Sequence, residues 1–471
     1  MNLLADISNK SDYWSNGPAD PANEEMVGLL VPKILMLIGI PDKEISKSYP
    51  TTGRRDPVDY AARLISTENS LEFSLQPKNP DLIIEIKRPS KIFIDKGKEY
   101  FKAVEQLNRY FAGSKCKSVR FGLIFNGLHL QLFRKHDQLS YPITNILSTR
   151  REDIKKTISI LKKRIEDFQD KRGSIISVWN NKGGVGKTSI AQSLSILLSR
   201  SKAFNRFDKN KILVIDYDHN QGDLTNNCGL SLGDGITQEL LEKDIKDELT
   251  EEFDFDKYLS VFTNKNRTPK ANFEFEIKVL RADSKLSKLG EKYSQYFSSK
   301  NKFPLRELCL KLSKRFDYII IDSPPNYEQS IFSKESIMAS DCILPIGLYA
   351  NKNSLINFAK FAKNEINDAQ IARFDGGPHI LGLWINKWRR TWTERYTRKC
   401  VEDIVESSKK EDRLELERIF YKKFIRRLDL RKINERAEIA RCIMDSNGLP
   451  GVVRFNSARV ALQGLLKEFV E

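Results

Sequence analysis

The stretch Ser177–Ser189, SVWNNKGGVGKTS, constrains this chain more than any other. The apolar run SIISVW leads into it and the helical pattern IAQSLSILLSR leaves it, so the residues read as strand, loop and helix. Gly183, Gly184 and Gly186, with Val185 between them, let the backbone curl until its N–H groups and the helix N-terminus face an anion. In such a loop Lys187 reaches the β- and γ-phosphates of a nucleotide, and Thr188, followed by Ser189, offers its hydroxyl to Mg²⁺. The phosphate-loop template asks for Gly, four residues, then Gly-Lys-Ser/Thr. Counting back from Gly186 lands instead on Asn181, and a second lysine, Lys182, follows it.

The runs that follow set the fold around this loop. KILVIDYD, FDYIIIDSP, DCILPIGLY and HILGLWINKW are largely apolar rather than alternating, as strands buried on both faces of a parallel sheet must be. The expectation is α/β: a doubly wound parallel-sheet ATPase domain over 172–471, with ligands at the carboxyl ends of its strands. The charged stretch from Gly233 to Phe275 reads as a surface excursion. A chain of 471 residues exceeds what one core organises, since cores divide beyond roughly 250–300 residues. Residues 1–145 read as a separate mixed α/β domain, with strands at PVDYAARLI, DLIIEIK and VRFGLIFN and a helix at GKEYFKAVEQLNRYF. Between the two, 146–171 reads as a connecting helix whose stripe of Ile154, Ile158, Leu161, Ile165 and Phe168 packs on its own chain.

Charge and composition limit the partners. Lys and Arg number 79 against 63 Asp and Glu, a formal net charge of +16, which steers the chain toward a polyanion, with nucleic acid first. An anionic membrane would answer to the same charge, but the one long apolar run, Met26 to Ile40, is too short and carries Pro32 and Lys33, so it reads as a buried helix. The N-terminus lacks the basic start and apolar core of a secretory signal, so a cytoplasmic protein without membrane contact is expected. Six scattered cysteines and four histidines suggest neither a disulfide framework nor a zinc site.

Two further strands end in carboxylates. KILVIDYDHNQGD puts Asp216 and Asp218 two apart, on one side of a pleat, and FDYIIIDSPPN puts Asp322 where a carboxylate binds Mg²⁺ through water. Together KGGVGKT, the DxD strand, IIIDSPP, ASDCILPI and LWINKW resemble the ParA/MinD superfamily of deviant Walker ATPases, from about Lys171 to the C-terminus. The resemblance implies ATP and Mg²⁺ as cofactors and an ATP-dependent homodimer. It also implies that Lys182 crosses to the partner's ATP, that Asp218 positions the attacking water, that Asp322 is the Walker B acid, and that Asn386 contacts adenine. His219 stands where the family usually has proline. A cation delivered by a second subunit neutralises the transferring phosphoryl only when two subunits meet, which makes ATP the glue of a dimer.

The N-terminal part carries a second constellation. Asp59 lies near a strand start, and Glu85 and Lys87 share one face of a later strand. Two converging carboxylates bind Mg²⁺, and a neighbouring lysine orients or deprotonates a metal-bound water, as phosphodiester cleavage needs. The ordered series NEEMVGLLVPKILMLIGI, VDYAAR, LIIEIKRP, EQLNRYF and GLIFNGLHLQLF resembles the N-terminal domain of type I restriction R subunits, a PD-(D/E)xK nuclease, over about residues 20–135. That implies metal ligands at Asp59 and Glu85, a catalytic lysine at Lys87, and support from Gln106 in the Gln106-x-x-x-Tyr110 helix. Glu24 or Glu25 would add a ligand, and Asp56 and Asp81 are alternatives for the first acid.

Two basic runs complete the candidate sites. WRRTWTERYTRK holds Arg389, Arg390 and Arg395, with Trp388, Trp392 and Tyr396 four apart on what reads as one helical face; KKFIRRLDLRK holds Lys422, Lys423, Arg426 and Arg427. Both would make nonspecific, salt-sensitive contacts to a DNA backbone. The expectation is therefore an ATP-dependent dimerising ATPase coupled to a metal-dependent DNA nuclease in defence against foreign DNA, with a higher oligomer or a partner subunit as extensions. The other reading is a ParA-like partition or positioning ATPase whose N-terminal domain is catalytically inactive and binds DNA or protein. The C-terminal ARVALQGLLKEFVE reads as a closing helix packed on the sheet rather than a membrane anchor.

Overall fold

A computed structural model of the chain describes residues 3–16, 24–52, 57–64, 72–89, 93–169, 172–201, 209–246, 248–250, 252–264, 274–289, 303–325, 330–373, 375–389, 393–423, 428–434 and 450–470. The chain divides into two compact units: Met1–Asp170 with Phe374–Gly377, and Lys171–Arg373 with Pro378–Glu471.

The first unit is built on a sheet of β1 (Ile45–Pro50), β2 (Pro57–Ala62), β3 (Leu82–Ile86), β4 (Phe121–Phe125), β5 (His129–His136) and β6 (Leu139–Pro142), paired in that order. A short β7 (Leu147–Ser148) pairs with β5. All these pairings are antiparallel except β3 with β4, which run parallel because the helix Lys98–Phe111 carries the chain between them. That helix buries Tyr100, Phe101, Ala103, Leu107, Tyr110 and Phe111. It lies so close to β4 that a Cβ on Gly122 would stand 2.6 Å from the Phe111 ring, so any larger residue would force the Phe111 and Leu107 side chains to move. β1 has no apolar run because Ser46, Lys47 and Ser48 separate Ile45 from Tyr49, and it forms through pairing with β2. The apolar run Met26 to Ile40 is not one helix but two short ones, Glu24–Gly28 and Val31–Leu37, with Pro32 in the first turn of the second, where its missing N–H leaves no bond unmade. The helix Ile154–Gln169 belongs to this unit rather than standing between two domains. Ile154, Ile158, Leu161, Ile165 and Phe168 are all buried, with Phe168 under the Arg134 guanidinium at 4.8 Å.

The second unit is a doubly wound sheet. Its strands are β8 (Ser174–Trp179), β9 (Ile212–Asp216), β10 (Ser260–Thr263), β11 (Glu276–Leu280), β12 (Tyr318–Asp322), β13 (Cys342–Leu348), β14 (His379–Ile380), β15 (Trp384–Trp388), β16 (Tyr421–Lys423) and β17 (Leu428–Asn434). They follow the order β10-β11-β9-β12-β8-β13-β15-β17-β16, with β14 on β13. The pairs from β11 through β17 are parallel, and antiparallel β10 and β16 close the edges. β8, β9 and β12 are buried at every residue, which accounts for their unbroken apolar sequences. Ile319, Ile320 and Ile321 of β12 are fully buried, and each such side chain contributes about 1.5–3 kcal/mol.

The stretch from Gly233 to Phe275 is not a surface excursion. Its helix Ile236–Ile245 buries Leu240 and Leu241, its later residues Leu249, Phe255 and Leu259 join the same apolar cluster, and β10 extends the sheet. Most of the described charged residues there face water, Asp244 excepted, while most of the apolar ones turn inward, and the uneven spacing hides that division in the sequence. The C-terminal helix Asn456–Val470 buries Ala458, Ala461, Leu462, Leu465 and Phe469, so it closes the core. Among the described residues no helix is long and apolar enough to cross a membrane. The described cysteines are free and buried, and Cys442 lies outside the described residues.

Candidate functional sites

The phosphate loop connects β8 to the helix Lys187–Leu198. Gly186, the residue before that helix, has φ +97°, and a Cβ there would collide with the Asn386 amide, so two constraints require glycine. Asn180 braces the start of the loop: its Nδ2 donates to the Ile346 carbonyl at 2.6 Å and its Oδ1 accepts the Lys182 N–H at 2.7 Å. The N–H groups of Gly183, Gly184, Val185 and Gly186 have no acceptor among the described residues, leaving donors for an anion. Lys187 is 8% exposed and donates to the Lys182 carbonyl at 3.4 Å; burial lowers its pKa, against the pull of Asp322 and Asp218. The Lys182 side chain is exposed.

The parallel register sets Asp322 beside Val178 on one side and Asp216 on the other. Burial, reinforced by the Asp216 charge, pushes Asp322 up to about 8, opposed by a hydrogen bond from Thr188 and by Lys187. Asp322 Oδ1 is buried without a partner. An unmatched carboxylate oxygen beside a threonine hydroxyl suits a hydrated divalent cation, so Asp322 and Thr188 fit Mg²⁺. Asp216 is raised to about 6 by burial and serves structure: its Oδ2 accepts the Thr225 N–H and hydroxyl at 2.8 and 2.7 Å. β9 ends at Asp216, so the turn rather than the pleat places Asp218, which is 9% exposed and accepts the Gln221 N–H at 3.3 Å. His219 lays its ring 4.4 Å from that of Phe332, and its buried Nδ1 has no partner. Behind these acids Tyr217 donates to the fully buried Glu335, raised to about 7 by burial, a contact with no motif to announce it. Asn386 is held on the loop, its Nδ2 donating to the Val185 carbonyl at 2.8 Å.

In the first unit β2 and β3 pair Tyr60 with Ile84, so one step further Asp59 stands across from Glu85. Asp59 Oδ2 accepts the Ile86 N–H at 2.7 Å, and the Lys87 ammonium contacts Glu85 Oε1 and the Ile86 carbonyl. Burial pushes Glu85 up to about 7, against Lys87 and with added repulsion from Asp59 and Glu24. Its Oε2 is buried without a partner. The Glu24 charge is thus felt at this site. Asp81 is engaged elsewhere, accepting the Leu64 N–H at 3.0 Å and pairing with Arg120 at 2.9 Å, and Asp56 lies outside the described residues. Gln106 donates to the Tyr110 hydroxyl at 2.6 Å. Among the described residues no group of three or more His, Cys, Asp or Glu side chains stands close enough to hold a metal. The site offers a carboxylate pair and a lysine.

The basic runs are not brought together as read. Trp388 ends β15, whereas the next helix starts at Thr393, so Trp388 and Tyr396 do not share a helical face. Lys432 rests 4.5 Å from the Trp388 ring and 3.4 Å from Glu394, and Arg431 binds Glu468 at 2.9 Å. Arg389 and Arg395 are exposed. Lys422 and Lys423 lie on β16, whereas Arg390, Trp392, Arg426 and Arg427 lie outside the described residues.

Comparison with known proteins agrees with the geometry of the second unit. Residues 173–371 match the family described as AAA domain. An uncharacterised protein of Methanocaldococcus jannaschii is 28% identical over 177 residues, 36% of this chain and 57% of that protein. The chromosome partitioning protein ParA of Myxococcus xanthus is 28% identical over 175 residues, 36% of this chain and 51% of that protein. The sporulation initiation inhibitor protein Soj of Bacillus subtilis is 24% identical over 200 residues, 41% of this chain and 68% of that protein. The chain thus spans little more than half the length of the first two relatives.

Proposed function

We propose, starting from a second unit that carries a ParA/MinD-like P-loop ATPase domain with ATP and Mg²⁺ as its cofactors, that the protein is an ATPase switch of the partition or positioning kind that dimerises on ATP and holds DNA through its phosphates. The observation that carries this reading is the buried Lys187 facing Asp322 beside Thr188, under a loop whose amides lack acceptors. Lys187 and the loop amides hold the triphosphate, and Thr188 and Asp322 hold Mg²⁺. An ion held there would supply positive charge to offset that of the phosphates. Asp218 orients water for attack, and Lys182, exposed at the loop rim, reaches the partner's nucleotide. Sedimentation with ATP tests this: wild type should pair, Lys182→Ala should bind ATP but stay monomeric, and Lys187→Ala should not bind. A Lys182→Ala protein that still pairs on ATP would refute the crossing lysine.

One specific observation favours a second activity in the first unit. Asp59, Glu85 and Lys87 meet although 26 residues separate the two acids, and Glu85 keeps an unmatched oxygen. In this reading the unit hydrolyses phosphodiesters with a divalent metal, and the DNA held by the dimer is its substrate. Incubating plasmid and linear DNA with ATP, Mg²⁺ or Mn²⁺ decides between the two. DNA cut by wild type and spared by Glu85→Ala and Lys87→Ala supports the nuclease, and DNA bound but uncut under all conditions leaves a binding module.

A further inference from the structure

β15 carries an irregularity beside the phosphate loop. Ile385 pairs with Lys432 and Trp388 with Asn434, so β15 spends one residue more than β17 over this span. Within that bulge Lys387 adopts φ +57°, a left-handed backbone that a lysine holds only against a strain of order 1 kcal/mol. The bulge turns two consecutive side chains onto the loop. Asn386 Nδ2 donates to the Val185 carbonyl at 2.8 Å, and the Lys387 ammonium lies 3.4 Å from the Gly184 carbonyl. Asn386 Oδ1 accepts the Lys387 N–H at 2.8 Å, which locks the pair.

The consequence follows from the planarity of the peptide. In a trans peptide unit the C=O and the N–H point in opposite directions. Drawing the Gly184 carbonyl toward Lys387 therefore points the Val185 N–H away from it, and drawing the Val185 carbonyl toward Asn386 does the same for the Gly186 N–H. Those amides are among the ones without an acceptor among the described residues. Successive N–H groups aimed to one side make an anion-binding concavity. We propose that Asn386 and Lys387 are positioning residues of the phosphate site: a clasp that fixes two peptide planes of the loop from outside, so that the N–H groups of Val185 and Gly186 face the triphosphate before it arrives. This rests on the nucleotide-binding reading above and adds to it a role for the pair that is independent of the base.

Binding of ATP and of inorganic tripolyphosphate, measured by calorimetry in Mg²⁺, tests the clasp. Lys387→Met should weaken both by about tenfold, the size of one lost charge-assisted hydrogen bond. Lys387→Gln keeps a donor without the charge and should recover most of that loss. Lys387→Gly removes the side chain while relieving the left-handed backbone, so it should unfold no more readily than wild type and still bind as weakly as Lys387→Met. Loss of ATP affinity with tripolyphosphate unaffected would make the lysine a reader of base or ribose and overturn the clasp. So would a Gln variant as weak as Met, which would leave only bulk charge, or a Met variant that binds like wild type. Wild type that binds neither ligand would overturn the nucleotide reading itself and the clasp with it.

Discussion

Asp322 and Glu85 are both almost fully buried, both keep an oxygen without a partner, and both hold a proton more tightly than a free carboxyl, yet they reach that state by different routes. Asp322 ends a parallel strand, next to Asp216 on the adjoining strand, and its counter-charge, Lys187, comes from a loop far away in sequence. Glu85 lies in a mixed sheet, and its counter-charge, Lys87, comes from two residues along the same chain. Removing either acid leaves a lysine without its carboxylate, and Lys187, 8% exposed, is held deeper than Lys87, whose side chain is 22% exposed. Lysine removal should break this comparison most widely. Lys187→Ala is expected to lower ATP turnover by at least about a hundredfold, since a lysine on the transferring phosphoryl acts in a dry site. Lys87→Ala should leave ATP turnover within about twofold, because the first unit has its own core and its own sheet. A parallel loss of ATPase in both variants would show that the sites do not work independently.

The same contrast explains what could be read from the sequence. The loop from Gly183 to Thr188 is contiguous, so strand, turn and helix chemistry are legible in a dozen letters, and the acids after apolar runs mark strand ends without any knowledge of strand order. The pairing of Asp59 with Glu85 depends on register between β2 and β3, which resemblance implied and spacing alone did not. The Tyr217–Glu335 contact and the hold of Asn386 on the loop escaped for the same reason: each joins residues more than a hundred positions apart, and no spacing in the sequence pairs them. Helix assignment failed at Trp388, where a period of four in the aromatics ran across the end of a strand.

Charge removal is the next largest effect. A buried acid whose folded pKa is raised has no penalty below its unfolded pKa and carries the full penalty above its folded pKa. Stability from Asp322 therefore falls as pH rises from about 4 to about 8, and stability from Glu85 falls between about 4.5 and about 7. In nucleotide-free protein at pH 8, Asp322→Asn should gain on the order of 1–3 kcal/mol in urea unfolding and lose the advantage near pH 4. Glu85→Gln should gain less, since burial raises Glu85 only to about 7 and over a narrower range than Asp322. Equal gains from both would show that the two acids bear the same burial penalty. An effect of comparable size and opposite sign is expected at Gly186→Ala, where positive φ and the Asn386 amide together should cost about 1–3 kcal/mol and weaken ATP binding with it.

The smallest expected effects separate the two basic runs of the second unit. Arg395 is exposed on the helix Thr393–Glu406, whereas Lys432 is held by Glu394 and by the face of Trp388, and Arg431 by Glu468 and the carbonyls of Ile419 and Tyr421. A cation already committed to a carboxylate releases few counterions when DNA arrives, because it must first give up its partner. If the helix meets DNA, Arg395→Ala should weaken nonspecific binding only severalfold and reduce the slope of log affinity against log salt by about 1. Lys432→Ala should leave that slope unchanged, since Glu394 keeps Arg398 as its partner at 3.1 Å. Fluorescence anisotropy over a salt series reads both numbers, and a slope that responds to Lys432 but not to Arg395 would move the DNA contact from the helix to β17.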